Sequence, residues 1–309
     1  MAAGGIVVLG RSGQLARALD EEARDRDRAL ECLGRDRLDL ETGADIEAAL
    51  APLRPTILVN AAAFTAVDGA ESEPDKARAL NETAAGHAAE AAARLGIPFI
   101  HISTDYVFDG DKPAPYVETD PVAPMSVYGE TKLAGERAVL AAHPLAVILR
   151  TAWVFSPFGK NFVKTMLRLA AERDGLTVVD DQHGCPTPAH DLAAATLDIA
   201  DRLTGSEKDR PSGIFHACGT GETTWCGFAR SIMEISARLG GPTATVSPIA
   251  TKDYPTPARR PRNSRLDCAA LERAFGIRMP DWHVGLETCI ARLVSTPDRD
   301  ISGDNGSMT

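Results

Sequence analysis

The first 150 residues alternate between short apolar runs, which predict strands, and longer amphipathic or alanine-rich stretches, which predict helices. The predicted strands cover residues 5–10, 29–33, 56–60, 98–103 and 145–150, and the predicted helices cover 18–28, 45–51, 73–95 and 128–142. Such alternation is typical of a parallel sheet covered by helices on both faces. We therefore predict an α/β fold with a Rossmann-type doubly wound parallel sheet.

The pattern is less regular beyond residue 150. It predicts a helix over 161–173 and a strand over 176–179, and prolines are dense in 185–188 and 254–261. We expect residues 1–150, with about 176–217, to form a dinucleotide-binding domain. Residues 151–175 and 218–294 then form a smaller, interleaved C-terminal substrate-binding domain. Residues 295–309, rich in Ser, Asp, Gly and Asn, predict a disordered tail.

A glycine-rich turn follows the first predicted strand. Gly10-Arg11-Ser12-Gly13-Gln14-Leu15-Ala16 connects that strand to a helix, and so matches the dinucleotide fingerprint Gly-x-x-Gly-x-x-Ala. In that motif the glycines allow close approach of a diphosphate to the helix N-terminus. A purely structural turn between strand and helix is the alternative.

Composition and charge exclude several classes of protein. The 309 residues carry a net charge of -10, which argues against a general surface for nucleic acid or anionic membranes. No apolar run is long enough for a membrane span, and the N-terminus lacks the pattern of a signal peptide, so we expect a cytoplasmic protein. The six cysteines form no Cys-x-x-Cys pair and the seven histidines no metal spacing, which predicts reduced thiols and no structural zinc.

Tyr128 and Lys132 lie four residues apart in a predicted helix and so share one of its faces. An ammonium beside a phenol favours the phenolate and can lower the phenol pKa from about 10 toward neutrality. The pair could therefore deliver a proton near neutral pH. An ordinary solvated helix surface has the same spacing, so the pair needs support from other motifs.

Polar residues follow two predicted strands at their carboxyl ends. Asn60-Ala-Ala-Ala-Phe-Thr65 follows the third strand, and Ser103-Thr-Asp-Tyr-Val-Phe-Asp-Gly110 follows the fourth. In a doubly wound sheet, ligands bind beyond the carboxyl ends of the strands. We expect both segments to line the same crevice as the glycine turn, although loops often carry such residues without function.

These motifs together resemble the extended short-chain dehydrogenase/reductase superfamily, and within it the family of dTDP-4-dehydrorhamnose reductases. The superfamily resemblance is carried by the glycine turn and by Tyr128-Gly-x-Thr-Lys132. The narrower resemblance covers about residues 5–293 and depends on further stretches, namely Arg150-Thr-Ala-Trp-Val-Phe155, Gly159-Lys-Asn-Phe162, Asp181-Gln-His-Gly-Cys-Pro-Thr187, Tyr254-Pro-Thr-Pro-Ala-Arg-Arg-Pro261, Asn263-Ser-Arg265 and Pro280-Asp-Trp282.

The resemblance implies reduction of the C4 ketone of dTDP-4-dehydro-L-rhamnose to dTDP-L-rhamnose. It implies that Tyr128 donates the proton, that Thr104 hydrogen-bonds the same oxygen, and that Lys132 holds the nicotinamide ribose and keeps the Tyr128 pKa low. Trp153 resembles the aromatic residue that packs on the sugar, with a core tryptophan as the alternative.

The implied site has three sets of residues. The catalytic set is Thr104, Tyr128 and Lys132. The cofactor-binding set is Gly10, Ser12, Gly13, Gln14, Leu15, Arg35, Asp39, Leu40, Ala61, Ala62, Ala63, Thr65, Tyr128 and Lys132. The substrate-binding set is Thr104, Asp105, Tyr106, Val107, Trp153, Arg260 and Asn263, in which Arg260 and Asn263 are expected at the nucleotide end because guanidinium pairs well with a diphosphate.

The sequence departs from the family pattern in two respects. Where members often carry an acidic residue for the adenosine ribose, this sequence reads Leu33-Gly34-Arg35. We therefore expect NADPH rather than NADH, with Arg35 or Arg11 on the 2′-phosphate, unless Arg35 is a solvated surface residue. Some members dimerise around magnesium held by glutamates. The corresponding residues here are Ala18, His190 and Arg292, so we expect no metal, and either a monomer or a homodimer.

Two alternative functions remain open from the sequence. One is a non-catalytic NADP-binding regulatory subunit, against which the presence of all three catalytic residues argues. The other is a reductase or epimerase of a different nucleotide sugar. In each case the expected partner is a small nucleotide-sugar molecule, with neither nucleic acid nor membrane.

Overall fold

The computed structural model of the protein describes residues 4–43, 45–205 and 210–295. The disordered tail predicted for 295–309 lies, beyond Ser295, outside the described residues. The strands are β1 Ile6–Leu9, β2 Leu30–Leu33, β3 Ile57–Asn60, β4 Phe99–Thr104, β5 Val147–Thr151, β6 Val154–Phe155, β7 Gly175–Val179, β8 His183–Gly184, β9 Thr187–Pro188, β10 Gly213–His216, β11 Thr223–Thr224, β12 Thr245–Ile249 and β13 Asn263–Ser264. The helices are α1 Gln14–Asp25, α2 Ile46–Leu50, α3 Val67–Ser72, α4 Pro74–Arg78, α5 Ala84–Leu95, α6 Val127–Ala142, α7 Phe162–Glu172, α8 Ala189–Thr204, α9 Trp225–Arg238, α10 Ala269–Phe275 and α11 Trp282–Ser295.

Six strands form the main sheet in the order β10-β5-β4-β3-β1-β2, and all their pairings are parallel. Successive residues of a strand point to opposite faces. In β1, Ile6 and Val8 pack into the core with α1 and α8, while Val7 and Leu9 pack into the core with α2 and α5. Both faces of the sheet are therefore covered, which confirms the predicted doubly wound α/β fold.

The direction of winding reverses at β1. The chain passes from β1 outward to β2, then returns to β3 on the other side and continues through β4 and β5 to β10. A reversal of this kind leaves a crevice beyond the carboxyl ends of the central strands. The segments after β1, β3 and β4 all open into this crevice, as the sequence predicts.

The helix predicted over 73–95 is interrupted by a π turn, Ala79–Thr83, between α4 and α5. Its residue Asn81 is fully buried and bonds the loop after β3, accepting from Phe64 N at 2.8 Å and donating to Phe64 O at 3.2 Å. Asn81 also donates to Thr131 Oγ1 at 3.1 Å. The π turn thereby fixes the loop after β3 against α6. These bonds favour the π turn over a continuous α-helix from residue 73 to residue 95.

A second region is built from α7, α9 and α11, which share an apolar core of their own. Strand β7 pairs with β12 in a separate two-stranded sheet and does not join the main sheet. Among the described residues of 176–217, α8 and β10 pack with the main sheet, whereas β7 pairs with β12. The division into two domains stays a prediction. We propose to draw the border between them at Ala189. Across the described ranges, no helix combines the length and apolarity that a membrane span needs.

A buried ion pair joins α6 to the sheet. Arg150, on β5, donates to Glu136 through Nε at 2.8 Å and through a terminal nitrogen at 2.7 Å. Ser103 Oγ, on β4, donates to the same carboxylate at 2.5 Å. Both charged side chains are at most 3% exposed. Removing one partner of such a pair leaves the other charge buried without compensation.

We expect Arg150→Met to lower the free energy of unfolding by about 3–5 kcal/mol, because Glu136 would lose both Arg150 donors in the interior and keep only the Ser103 hydroxyl. Urea denaturation at pH 7 measures this loss. Arg168→Met is the control, since Arg168 and Glu172 form a half-exposed pair on α7 that should contribute less than about 1 kcal/mol. Equal losses in the two variants would contradict the structural role of the buried pair.

Candidate active site

A cleft of about 1280 Å³ lies beyond the carboxyl ends of the main-sheet strands. It runs from the turn after β2 to the aromatic residues at the start of α7 and α9. Most of the site residues expected from the sequence line this cleft, namely Gly10, Ser12, Gly13, Gln14, Leu15, Arg35, Asp39, Leu40, Ala61, Ala62, Ala63, Thr65, Thr104, Asp105, Tyr106, Tyr128, Lys132 and Trp153.

The glycine turn forms one floor of the cleft. Gly10 has φ +106°, and a Cβ there would lie 3.3 Å from Ala62 N, so the turn requires glycine. Helix α1 begins after Gly13 without a side-chain cap or an acidic residue in its first turn. A Cβ on Gly13 would meet nothing within 4 Å. Uncapped N–H groups beside open space suit an anionic diphosphate, so the residues present fit a dinucleotide.

Two arginines lie at the adenosine end of the cleft, and both are exposed and paired with carboxylates. Arg11 bonds Asp36 at 2.9 Å, and Arg35 bonds Glu41. The carboxylate of Asp39 caps the short turn after it, accepting from Glu41 N at 3.0 Å. Arg11 and Arg35 are thus close enough to the turn after β2 to meet a ribose phosphate there, but each must share its charge with an acidic neighbour.

Helix α6 carries the Tyr128 and Lys132 pair into the cleft. Ser126 caps the helix by accepting from Gly129 N at 3.2 Å, which places Tyr128 in the first turn. Both side chains are buried on the face toward β4. Lys132 donates from Nζ to Ile102 O at 2.6 Å and lies 3.4 Å from His101 Nε2. The solvated helix surface considered from the sequence is therefore wrong.

The acid–base properties of the pair differ from the expectation that Lys132 lowers the Tyr128 pKa. Burial raises the pKa of Tyr128 to about 12, and a hydrogen bond with Thr104 offsets only part of this rise. Burial also lowers the pKa of Lys132 to about 8, against the attraction of Glu136. The expected depression of the phenol pKa is wrong in this structure. The physical reason is that removal of the phenol from water raises its pKa by more than the hydrogen bond with Thr104 lowers it.

Thr104 and Asp105 stand at the end of β4, at the edge of the cleft nearest Tyr128. Thr104 Oγ1 donates to Asp105 Oδ1 at 3.0 Å and accepts from Tyr106 N at 3.3 Å, which starts the short turn Asp105–Val107. Burial raises the pKa of Asp105 to about 6, opposed by hydrogen bonds with Ser264 and Thr104. The Tyr106 ring meets the Tyr128 ring edge-on with centroids 5.4 Å apart.

Trp153 lies at the far end of the cleft, in a backbone conformation that is rare for so large a residue, with φ +48°. Its ring stacks on Trp225 with centroids 3.6 Å apart and an angle of 11° between the planes. A Cβ on Gly184 would come within 2.3 Å of the same ring, so glycine is needed there. Trp153 is half-buried at the cleft and is not a core tryptophan.

Several residues that line the cleft are not among the predicted site residues. Trp225, Phe162 and Phe228 form an aromatic wall with Trp153, and Lys160 and Arg17 add positive charge. The aromatic residues lie at or near the starts of α7 and α9, each preceded by Asn161 or Thr224 as a helix cap. The sequence signals for them are these cap residues before an aromatic side chain and, for Lys160 and Phe162, the family stretch Gly159-Lys-Asn-Phe162.

Three residues of the expected substrate set do not line the cleft. Val107 is fully buried in a separate apolar cluster. The side-chain amide of Asn263 forms its hydrogen bonds within the protein. It donates to Lys112 O at 2.7 Å and Ala114 O at 2.9 Å, and it accepts from Arg265 Nε at 2.7 Å. Arg260 donates to Asp68 at 2.7 Å. Tertiary pairing of these polar groups, invisible in the sequence, places them outside the cleft.

Two of the positions that the resemblance aligns with magnesium ligands, His190 and Arg292, belong to an ion-pair cluster here. Ala18 is buried in α1, whereas Arg292 binds Glu21 through two nitrogens at 2.8 and 3.0 Å. His190 Nε2 lies 2.9 Å from the same carboxylate. In the part of the chain that the structure describes, no three His, Cys, Asp or Glu side chains converge as metal ligands.

A glycine turn at a helix N-terminus, a buried Tyr128 and Lys132 pair and Thr104 meet in one cleft of a Rossmann-type sheet. The fold and this site define an NAD(P)-dependent oxidoreductase of the short-chain dehydrogenase/reductase type. Within that class, the chain belongs to the family described as RmlD substrate binding domain, whose family model matches residues 4–295.

Individual relatives agree with this family. The chain is 50% identical over 277 residues to dTDP-4-dehydrorhamnose reductase of Sinorhizobium fredii, covering 90% of this chain and 93% of the relative. A crystal structure of dTDP-4-dehydrorhamnose reductase from Bacillus anthracis in complex with NADP matches with TM-score 0.86 and 33% identity over 94% of this chain and 100% of that one. A crystal structure of a dTDP-4-dehydrorhamnose reductase from Clostridium acetobutylicum matches with TM-score 0.85 and 36% identity, over 93% of this chain and 99% of that one. The resemblance drawn from the motifs is confirmed.

The buried Lys132 predicts an unusual dependence of stability on pH. Its pKa is about 8 in the fold and 10.5 ordinarily, so between these values the unfolded chain binds more protons than the folded one. Lys132 therefore increases the free energy of unfolding as the pH rises from about 8 to about 10.5. Compared with Lys132→Met, we expect the wild type to gain about 2–3 kcal/mol between pH 7 and pH 10. Denaturant titrations of both proteins across that range measure the difference, and a constant difference would contradict a buried ammonium.

Proposed function

We propose that this protein reduces the C4 ketone of dTDP-4-dehydro-L-rhamnose with NADPH, giving dTDP-L-rhamnose. The observation that carries the proposal is the placement of Thr104, Tyr128 and Lys132 in the same cleft as the glycine turn. Relatives of this family, 41–50% identical, bear the name dTDP-4-dehydrorhamnose reductase and support the substrate.

The dinucleotide would be held by the glycine turn and the N-terminus of α1, by Asp39 and Leu40 at the adenosine end, and by the alanines after β3. When bound, the cofactor supplies a hydride to the carbonyl carbon. Small side chains at Ala61 and Ala62 leave the backbone after β3 accessible, which allows a flat ring system to lie against it. The protein thereby sets which part of the cleft remains for the sugar.

Tyr128 would complete the reduction as the proton donor. As the carbonyl carbon gains a hydride, its oxygen takes the phenolic proton, so that the ketone becomes an alcohol and the tyrosine a phenolate. With a phenol pKa of about 12, Tyr128 is protonated before reaction, as a donor must be. Lys132, held against Ile102 O, stabilises the phenolate that forms and would bind the nicotinamide ribose. Thr104 orients the reacting oxygen.

The sugar would lie between the Thr104 end of β4 and the aromatic wall. Asp105 and Tyr106 follow Thr104, and Trp153, stacked on Trp225, lines the cleft. An apolar wall suits the 6-deoxy carbon of the substrate, which carries no hydroxyl. Arg260 lies beside Tyr106, where its charge lowers the phenol pKa against the larger effect of burial. We assign it to supporting that ring rather than to the diphosphate.

The cofactor preference is proposed as NADPH over NADH. Arg11 and Arg35 at the end of β2 support it, as does the related enzyme from Bacillus anthracis in complex with NADP. Because Asp36 and Glu41 already neutralise part of this charge, the preference should be moderate. The regulatory-subunit alternative is not favoured, since all three catalytic residues face the cleft.

Tyr128→Phe removes only the proposed proton donor. We expect kcat to fall by roughly 100-fold or more, with NADPH affinity nearly unchanged, because the ring and its packing remain. The assay follows NADPH absorbance with dTDP-4-dehydro-L-rhamnose as substrate. Tyr254→Phe, at a tyrosine that is 58% exposed, is the matched control and should retain full activity.

Three outcomes would contradict the proposal. Full activity of Tyr128→Phe would remove the tyrosine from the chemistry. Wild-type protein that consumes no NADPH with this keto sugar, while binding the cofactor, would favour the non-catalytic alternative. If the protein removes a hydride from a nucleotide sugar and returns it with no net consumption of cofactor, the epimerase alternative would be favoured.

The arginines at the end of β2 generate a separate prediction. Replacing both Arg11 and Arg35 by alanine should reduce the ratio of NADPH to NADH affinity by roughly tenfold, because two cations near the 2′-phosphate are lost. Fluorescence titration with each cofactor measures the ratio. Arg94→Ala is the control for loss of charge. It breaks the exposed ion pair between Arg94 on α5 and Glu47 on α2, and it should leave the ratio unchanged. A ratio unaffected by the double change would place phosphate recognition elsewhere.

A further inference from the structure

The side chain of Gln14, the first residue of α1, reaches across the cleft floor to a segment we term the bridging segment, residues 154–161. Gln14 Nε2 donates to Val154 O at 3.2 Å. Its Oε1 accepts from Ser156 Oγ at 2.8 Å and from Asn161 Nδ2 at 3.0 Å. Three hydrogen bonds between residues at least 140 positions apart in the sequence connect the cofactor turn to the start of the substrate region.

These bonds occupy the amide of Gln14, so its side chain faces the protein rather than the cofactor. The backbone of the residue still belongs to the uncapped helix N-terminus that suits a diphosphate. The assignment of Gln14 to cofactor binding therefore applies to its main chain. The side chain has a different use.

The bridging segment connects Gln14 to the start of α7 through hydrogen bonds of Asn161. Asn161 donates to Gln14 and to the carbonyl oxygens of Ser156 at 2.8 Å and Phe158 at 3.1 Å, which fixes the turn. Its Oδ1 accepts from Lys164 N at 3.2 Å and caps α7. A displacement of Asn161 therefore moves the first turn of this helix.

The first residue of α7 is part of the aromatic wall. The rings of Phe162 and Trp225 have centroids 4.7 Å apart, and Trp225 stacks directly on Trp153. Contacts thus run without a gap from the N-terminus of α1, through Gln14, Asn161 and Phe162, to the stacked tryptophans. Packed side chains of this kind transmit displacement, because an interior at close packing has little free space.

We propose that Gln14 is a positioning residue that couples occupation of the dinucleotide site to the ordering of the sugar-binding wall. A diphosphate on the α1 N-terminus holds the first turn of the helix, Gln14 holds the bridging segment, and the wall takes up its sugar-binding form. This inference rests on the proposed function for the identity of the sugar. By linkage, the nucleotide sugar must strengthen cofactor binding by the same factor.

Calorimetry with dTDP-L-rhamnose tests the coupling without turnover. In the wild type, saturating NADP should tighten binding of this product by roughly tenfold, whereas in Gln14→Ala the gain should fall below about threefold. NADP affinity itself should change little, because the backbone contacts are retained. Asp25→Ala, at the exposed C-terminal end of α1, is the control and should keep the full gain.

Hydrogen exchange gives a readout that does not depend on the sugar. NADP should slow amide exchange in residues 154–165 of the wild type but not of Gln14→Ala, whereas a purely structural role would leave the effect of NADP intact in the variant. Equal NADP protection, or an equal gain in product affinity, in wild type and variant would overturn the inference. If the wild type binds no dTDP-L-rhamnose while its NADP protection still requires Gln14, the proposed substrate is wrong and the coupling stands.

Discussion

The buried pair of Glu136 and Arg150 is the interaction on which the site depends. Tyr128, Lys132 and Glu136 recur every fourth residue along α6, so they share one face of that helix. The bidentate bonds to Arg150, with the additional bond from Ser103, hold this face at one height above β4 and β5. Because a charge left unpaired in the interior is costly, sliding the helix along the sheet is strongly disfavoured. The position of Tyr128 relative to the main sheet is therefore fixed.

Burial, which makes this geometry rigid, also sets the electrostatics of the site. It raises the pKa of Tyr128 to about 12 and lowers that of Lys132 to about 8, so near neutral pH Tyr128 is a neutral phenol while Lys132 still carries its charge. The ammonium is therefore in place before negative charge develops on the phenol oxygen, and few water molecules compete for its donors in the buried site.

The features that could be predicted from sequence are those encoded within a few consecutive residues. The turn at Gly10 and the spacing of Tyr128 and Lys132 are local patterns, and the alternation of strands follows from hydrophobic periodicity. The π turn at Asn81 escaped prediction because its neighbours are good helix formers, and only contacts with distant Phe64 and Thr131 select it. Arg260, Asn263 and Trp225 were misplaced or missed for the same reason. Their partners come from remote parts of the chain.

The order of the strands has a consequence for synthesis of the protein. The edge strand β10 pairs with β5 but follows it by more than 60 positions, after the bridging segment, α7 and α8 have been made. Until Gly213–His216 leaves the ribosome, the apolar edge of Val147–Thr151 has no partner strand. An unpaired apolar edge is prone to pairing with other chains. The nascent chain thus passes through a vulnerable interval, during which chaperone protection would have its greatest value.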